Sequence, residues 1–271
     1  MIIAGYFIRF ILFSFLGWIY ECTYCTVKTG HWENRGFLFG PICPIYGIGA
    51  SVTMIIFNEL PFFTGGTTLW WKIFLVCAIG SAILEYSVSF ILEKKFHAMW
   101  WDYSNVPLNV NGRICLPATL AFGFAGVVIV KYFFPWILRC FTVADAHPLI
   151  NEILALALML VLGMDIALTV ASLTSLLAAL DEAQDRFDEI MESSVEKVTA
   201  APGVLKEKVT EMPSAIKERV PESIRLKASD MMKLTRRQKR HLHSITTFKN
   251  VKHAKLVDHL KKEEDHDGRG H

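Results

Sequence analysis

Apolar residues fall in five long blocks, and this distribution constrains the fold more than any single motif. The blocks cover residues 2 to about 27, 40 to about 57, 68 to 92, 116 to about 138 and 149 to 180. At 1.5 Å per residue, about 20 helical residues cross the roughly 30 Å of bilayer hydrocarbon. Four blocks reach that length. The second, at about 18, is marginal and reads as tilted, re-entrant or stretched to Leu60. Side chains are 52% hydrophobic and gathered in blocks rather than alternating with charges. The expected fold is therefore all-α: a polytopic membrane bundle of about five transmembrane helices, residues 1–180, with a helical or partly disordered charged tail, residues 181–271. Gly and Pro within the blocks are compatible with this, because neighbouring helices can satisfy freed backbone groups.

Glu21, Glu85 and Asp165 stand inside three of these blocks. An acid at that depth costs roughly 2.5–3.5 kcal/mol on insertion scales, so three of them mark a polar site. Five crossings put the two ends on opposite faces. Lys28, Arg35, Lys94, Lys95, Arg113 and the basic tail then share one side, against Arg139 and a few others on the opposite side. The positive-inside rule places the N-terminus outside and the tail in the cytoplasm of a multi-pass membrane protein. The first block has no charged n-region or cleavage motif before it and is expected to be an uncleaved anchor.

On this topology all three acids lie in the cytoplasmic half of the membrane. Asn34-Arg35-Gly36 and Trp101-Asp102-Tyr103-Ser104, with Asn109 and Gly112-Arg113, emerge beside them. Arginine's planar fork suits carboxylates, so ion pairs of Glu21 or Glu85 with Arg35 or Arg113 are expected. Such pairs either lock the bundle or line a cavity open to the cytoplasm that holds a polar substrate, an ion or a lipid headgroup. A proton relay is one version of the latter. The candidate substrate-binding set is Glu21, Asn34, Arg35, Glu85, Trp101, Asp102, Tyr103, Asn109, Arg113 and Asp165.

Other features read as packing. The six cysteines, Cys22, Cys25, Cys43, Cys77, Cys115 and Cys140, lie in or beside apolar blocks and act there as small apolar residues. Trp32, Trp70, Trp71 and Trp136 fit an interfacial aromatic belt, whereas Trp18 and Trp101 stand within a turn of an acid or a polar cluster. Gly47-Ile-Gly49 allows close helix contact. Pro41 and Pro44 predict a broken or re-entrant entry to the second helix, of the kind that lines cavities.

Four stretches carry a family resemblance: Gly17-Trp18-Ile19-Tyr20-Glu21, Asn34 to Pro41 continuing through Pro44-Ile45-Tyr46-Gly47, Trp101 to Ser104, and Asn109 with Gly112 to Leu116. Together they resemble the bacterial membrane proteins grouped as the Putative ABC-transporter type IV family, over about residues 6 to 175, with Asp165 a looser match. The resemblance implies a permease-like role. No G-x-x-x-x-G-K-[ST] loop is present, so ATP hydrolysis would belong to a separate ATP-binding subunit. Five helices make a small transporter, which favours a homodimer or such a partner. No cofactor is expected.

From Asp181 the composition turns charged. Ala183, Phe187, Ile190, Met191 and Val198 at helical spacing predict an amphipathic extension of the fifth helix. Proline-initiated repeats follow at Pro202, Pro213 and Pro221, predicting short helices that lie on the membrane, pair with a partner or stay disordered. The stretch 225–262, centred on Arg236-Arg237-Gln238-Lys239-Arg240, predicts attraction to membrane phospholipid. Nucleic acid is a weaker expectation, for want of an aromatic platform, and the tail histidines are too scattered for a metal. Three functions stay open: transport of a small molecule or lipid; an enzyme acting on a lipid-linked substrate, with Glu85 or Asp102 as base but no named nucleophile–base pair; and a scaffold or regulator recruiting partners through the tail.

Overall fold

The computed structural model of the chain describes residues 2–30, 32, 34, 36–60, 69–145, 147–199, 234–248 and 257. Arg35, the proline-initiated repeats and most of the basic stretch lie outside the described residues. The described residues are mostly helical. Helices α1 (Ile2–Thr29), α2 (Pro44–Glu59), α3 (Trp70–Phe96), α4 (Leu116–Val128), α5 (Phe134–Asp145) and α6 (Pro148–Thr199) follow one another. Among the described residues, four helical spans are long and apolar enough to cross a membrane: Ile3–Thr29, Trp70–Phe96, Leu116–Arg139 and Pro148–Arg186. The third of these is one rod: a π-helical turn, Ile129–Phe133, joins α4 to α5. The expected extension of the last apolar block is present, since α6 runs unbroken to Thr199.

The marginal second block forms a helix of only 16 residues, and its packing explains why. Cys43 N donates to the Ser14 carbonyl, 2.9 Å, so α2 begins level with the middle of α1. Its other end lies beside the start of α1, where the Tyr6 hydroxyl donates to Glu59 Oε1 at 2.7 Å. The two helices are therefore antiparallel, and residues 36–43, which lead into α2, have no helical structure. Pro41 and Pro44 enforce the break: proline lacks an N–H, and it pushes the residue before it out of the helical region. Close approach is set by glycine. A Cβ on Gly17 would overlap the Tyr46 ring, and one on Gly47 would lie against the Ser14 hydroxyl and 2.7 Å from the Phe10 carbonyl oxygen.

Phe13 and Met54 form one buried cluster with Phe134 and Ile137, joining α1, α2 and α5. A second joins Phe57 of α2 to Ile73 and Cys77 of α3. Between α3 and α4, Gly126 admits Cys77 and Gly123 admits Phe74. Much of the remaining helical surface is exposed leucine, isoleucine, valine and phenylalanine, as hydrocarbon-facing helices require.

Residues between α3 and α4 build a compact loop. Strand β1 (Ala98–Met99) precedes a hairpin of β2 (Asn109–Val110) and β3 (Ile114–Cys115), with Val110 paired to Ile114. Asn111 and Gly112 both have positive φ, 54° and 68°, and Arg113 N donates to the Val110 carbonyl at 3.0 Å. Those are the sign pattern and closing bond of a type I′ turn, for which Asn-Gly is the favoured pair.

The chain divides into two compact units, the first comprising residues 1–171 with 244–247 and the second residues 172–243 with 248–271. Within the second, helix α7 (Arg236–Ser244) starts at a capping box. Thr235 N donates to Gln238 Oε1, 2.9 Å, and Gln238 N returns the bond to the Thr235 hydroxyl. Gln238 Nε2 also donates to the Ser175 hydroxyl on α6, 3.1 Å.

Candidate functional site

Glu21 and Glu85 come together, on different helices, and each receives a phenol. Tyr46, from the first turn of α2, donates to Glu21 Oε2 at 2.6 Å. It reaches that oxygen because Gly17, one turn back along α1, has no side chain to hold the ring away. Tyr103, from the loop after α3, lies 3.4 Å from Glu85 Oε1 and donates to it. The two carboxylates are within electrostatic range of one another, and Tyr103 feels both. Burial, and then the Glu85 carboxylate, hold the Tyr103 phenol well above its usual range, so it stays a donor at any physiological pH. Glu85 is 7% exposed, and its Oε2 has no hydrogen-bond partner among the described residues. A carboxylate oxygen left unbonded in an apolar surround is costly. Tyr20, edge-on to Tyr46, and Phe122 complete the aromatic wall on the Glu21 side.

Arg113 does not pair with either acid. This corrects the ion pairs expected of it: its Nη2 binds Glu93 Oε2 at 2.7 Å, two turns further along α3 than Glu85. Its guanidinium also stacks over Tyr86 and Phe90 and donates to the Tyr86 hydroxyl at 3.3 Å. The turn at Asn111-Gly112 directs Arg113 back along α3, where Tyr86, Phe90 and Glu93 lie on one helical face at i, i+4 and i+7. The expected pairing through Arg35 falls outside the described residues.

Asp165 is likewise apart from the carboxylate pair. Its Oδ1 accepts from Phe39 N at 3.0 Å and its Oδ2 from Gly40 N at 2.8 Å, with the Thr169 hydroxyl 3.4 Å from Oδ1. The acid on α6 thus satisfies the backbone of the non-helical segment that leads into α2. Three carboxylates meeting at one point is not what the structure shows: two meet, and the third holds a loop.

Most of the loop candidates build the loop itself. Asp102 Oδ1 accepts from both the backbone N and the hydroxyl of Ser104, and Oδ2 accepts from the Thr247 hydroxyl at 3.1 Å. Asn109 donates to the Val106 carbonyl, 2.8 Å, and accepts from Gly112 N, 3.1 Å. The Trp101 indole donates to the Arg113 carbonyl, 3.0 Å. Asn34, on the other loop, accepts from the Trp18 indole at 2.9 Å. Of the candidates, Glu21, Glu85 and Tyr103 form one cluster, and Tyr46 and Glu93 join the polar network without having been candidates. Tyr46 stood in a quoted stretch as an aromatic beside Gly17; Glu93 read as one more charge at the helix end beside Lys94 and Lys95.

A family model described as Putative ABC-transporter type IV matches residues 8–170. The chain belongs to this family. The match takes in every candidate residue from Glu21 to Asp165, and the tail lies beyond it. Comparison with curated proteins and with solved structures gives no match. Family membership and four long apolar helices together make this a membrane protein of transporter type.

Proposed function

We propose that the protein is the membrane-spanning, permease-like component of a transport system, and that the Glu21–Tyr46 and Glu85–Tyr103 pairs are its substrate site. The reading is carried by Glu85: a carboxylate buried on an apolar helix with one oxygen unbonded among the described residues. The other acids nearby are occupied, Asp165 by backbone N–H groups and Glu93 by Arg113. An intramembrane acid with one oxygen left unbonded among the described residues is a functional-site candidate by default. The non-helical segment before α2 supports the same reading, since transporters place binding sites at broken helices.

In this proposal the site opens to the cytoplasm of a bacterial plasma membrane and accepts a small polar molecule or a lipid headgroup. The tail, residues 181–271, is cytoplasmic and rests on anionic membrane lipids. Energy comes from a separate ATP-binding subunit, and the small bundle works as a homodimer or with that subunit. An enzymatic reading is less well supported, because Asp102, a candidate base, is engaged by Ser104 and Thr247.

Mass spectrometry of the protein purified in native-lipid nanodiscs tests the site. A small molecule or a distinct lipid should co-purify with the wild type and be lost by tenfold or more in Glu85→Gln, while Glu93→Gln retains it. Equal retention in Glu85→Gln, or a Glu85→Gln protein that is merely less stable with its ligand intact, would make Glu85 a packing residue and end the proposal.

A further inference from the structure

Residues 244–247 leave the tail and join the membrane unit at the loop that carries Tyr103. Thr246 N donates to the Met99 carbonyl at 2.9 Å, and its hydroxyl to the Trp100 carbonyl at 2.7 Å. The Thr247 hydroxyl donates to Asp102 Oδ2 at 3.1 Å. Three hydrogen bonds thus run from two consecutive tail residues, Thr246 and Thr247, to three loop residues, Met99, Trp100 and Asp102. Ser244 and Ile245 are buried beside them, so the segment is docked rather than lying along the surface.

The loop residues it grips flank Tyr103. Asp102, bonded to Thr247 by one oxygen, uses the other to hold Ser104, so the residues on either side of Tyr103 are fixed by one carboxylate. The Tyr103 backbone N is in turn tied to the Gly112 carbonyl, 2.8 Å, across the loop. Its hydroxyl is the described donor to Glu85, at the long distance of 3.4 Å. A small loop displacement changes a bond of that length by a large fraction of its strength.

We propose that Ser244–Thr247 is a strap through which the tail sets the position of Tyr103 against Glu85. With the strap docked, Asp102 and Ser104 hold Tyr103 toward the carboxylate; with it released, Asp102 loses one donor and the loop gains freedom. The strap follows directly on α7, which carries Arg236, Arg237, Lys239 and Arg240, so whatever engages those charges pulls on the strap. Tyr103 is the site residue so placed, and Thr246 and Thr247 are positioning residues that act through it. That the strap regulates transport rests on the proposed function; that it is coupled to the loop does not.

Hydrogen exchange read by mass spectrometry on the full-length protein in nanodiscs tests the coupling without any substrate. The double variant Thr246→Val with Thr247→Val removes both hydroxyl bonds, and Thr247→Glu sets a carboxylate against Asp102. In both, peptides from 99–115 should exchange about tenfold faster or more, while peptides from α1 and α3 stay unchanged. Thr247→Ser keeps the hydroxyl and should keep wild-type protection. Wild-type exchange in 99–115 with the strap broken, or a wild-type 244–248 segment as unprotected as free peptide, would overturn the proposal. Either result leaves the ligand experiment on Glu85 intact, and loss of that ligand site leaves this coupling standing.

Discussion

At Gly47 the α1–α2 contact comes down to a missing methyl group. A Cβ there would meet the Ser14 hydroxyl and the Phe10 carbonyl, which are already bonded to each other at 2.8 Å, and a backbone carbonyl in mid-helix has nowhere to move. Gly47→Ala is therefore expected to destabilise the protein by about 1–3 kcal/mol, read as a lower thermal midpoint in detergent. Gly80→Ala is the control, because no atom beyond the adjoining backbone of its own helix lies within 4 Å of its Cβ position, and it should leave the midpoint unchanged. The same closeness lets Tyr46 reach Glu21, so Gly17→Ala should disturb the site as well as the packing. Glu21 and Glu85 were legible in the sequence because a charge in an apolar block stands out against its neighbours. Their phenol donors were not, since tyrosine near a membrane helix end has an ordinary interfacial use. Nor was the partner of Arg113: which carboxylate it meets depends on the Asn111-Gly112 turn, and the choice between Glu85 and Glu93 is a matter of two helical turns.

Asp165 shows what an element demands of a residue elsewhere in the chain. The segment 36–43 is not helical, so its N–H groups lack the partners a helix supplies, and within an apolar bundle water does not replace them. One carboxylate takes two of them. Asp165→Ala should free both and lower stability by about 2–4 kcal/mol, with hydrogen exchange rising at Phe39 and Gly40 before any other part of the membrane unit. Asp165→Asn, which keeps one acceptor oxygen, should fall between. Sequence marked Asp165 as intramembrane and Pro41 as a break, yet only the fold reveals that the first compensates the second. The hairpin was within reach, because Asn-Gly is a hairpin signal, but the stretch reads first as a polar loop between two membrane helices, and its six strand residues leave the all-α class intact. In the tail, His241 on α7 is buried, and burial followed by the neighbouring Arg240 pushes its pKa down from 6.5 to about 4. The unfolded segment then binds the proton more readily than the folded one, so stability is full above about pH 6.5 and declines as pH falls toward 4. Exchange at α7 should rise across that window, and His241→Phe should remove the dependence.

For the whole membrane unit, the number of crossings decides which face the site opens on, and α2 decides the number. By length α2 falls short of a bilayer: 16 residues cover about 24 Å. Its position is that of one arm of a broken crossing, because α2 begins at mid-height on α1, after a non-helical segment, and ends beside Tyr6. Counted as a crossing, the segment and α2 together add a fifth to the four long apolar spans among the described residues, and the proposed orientation, with the ends of the chain on opposite sides, depends on that count. On the proposed orientation the Leu60 end of α2 is outside, and Lys95 and Lys239 are in the cytoplasm. Single cysteines at these positions, labelled in intact cells with a membrane-impermeant maleimide, test it. The native cysteines 22, 25, 43, 77 and 115 are buried and give little background once Cys140→Ser is introduced. Leu60→Cys should label directly, whereas Lys95→Cys and Lys239→Cys should label only after permeabilisation. If Leu60→Cys instead behaves as Lys95→Cys does, α2 turns back within the membrane and the bundle has four crossings. Both ends of the chain would then share one face, and the positive-inside argument would have to be made again with the N-terminus on the same side as the tail.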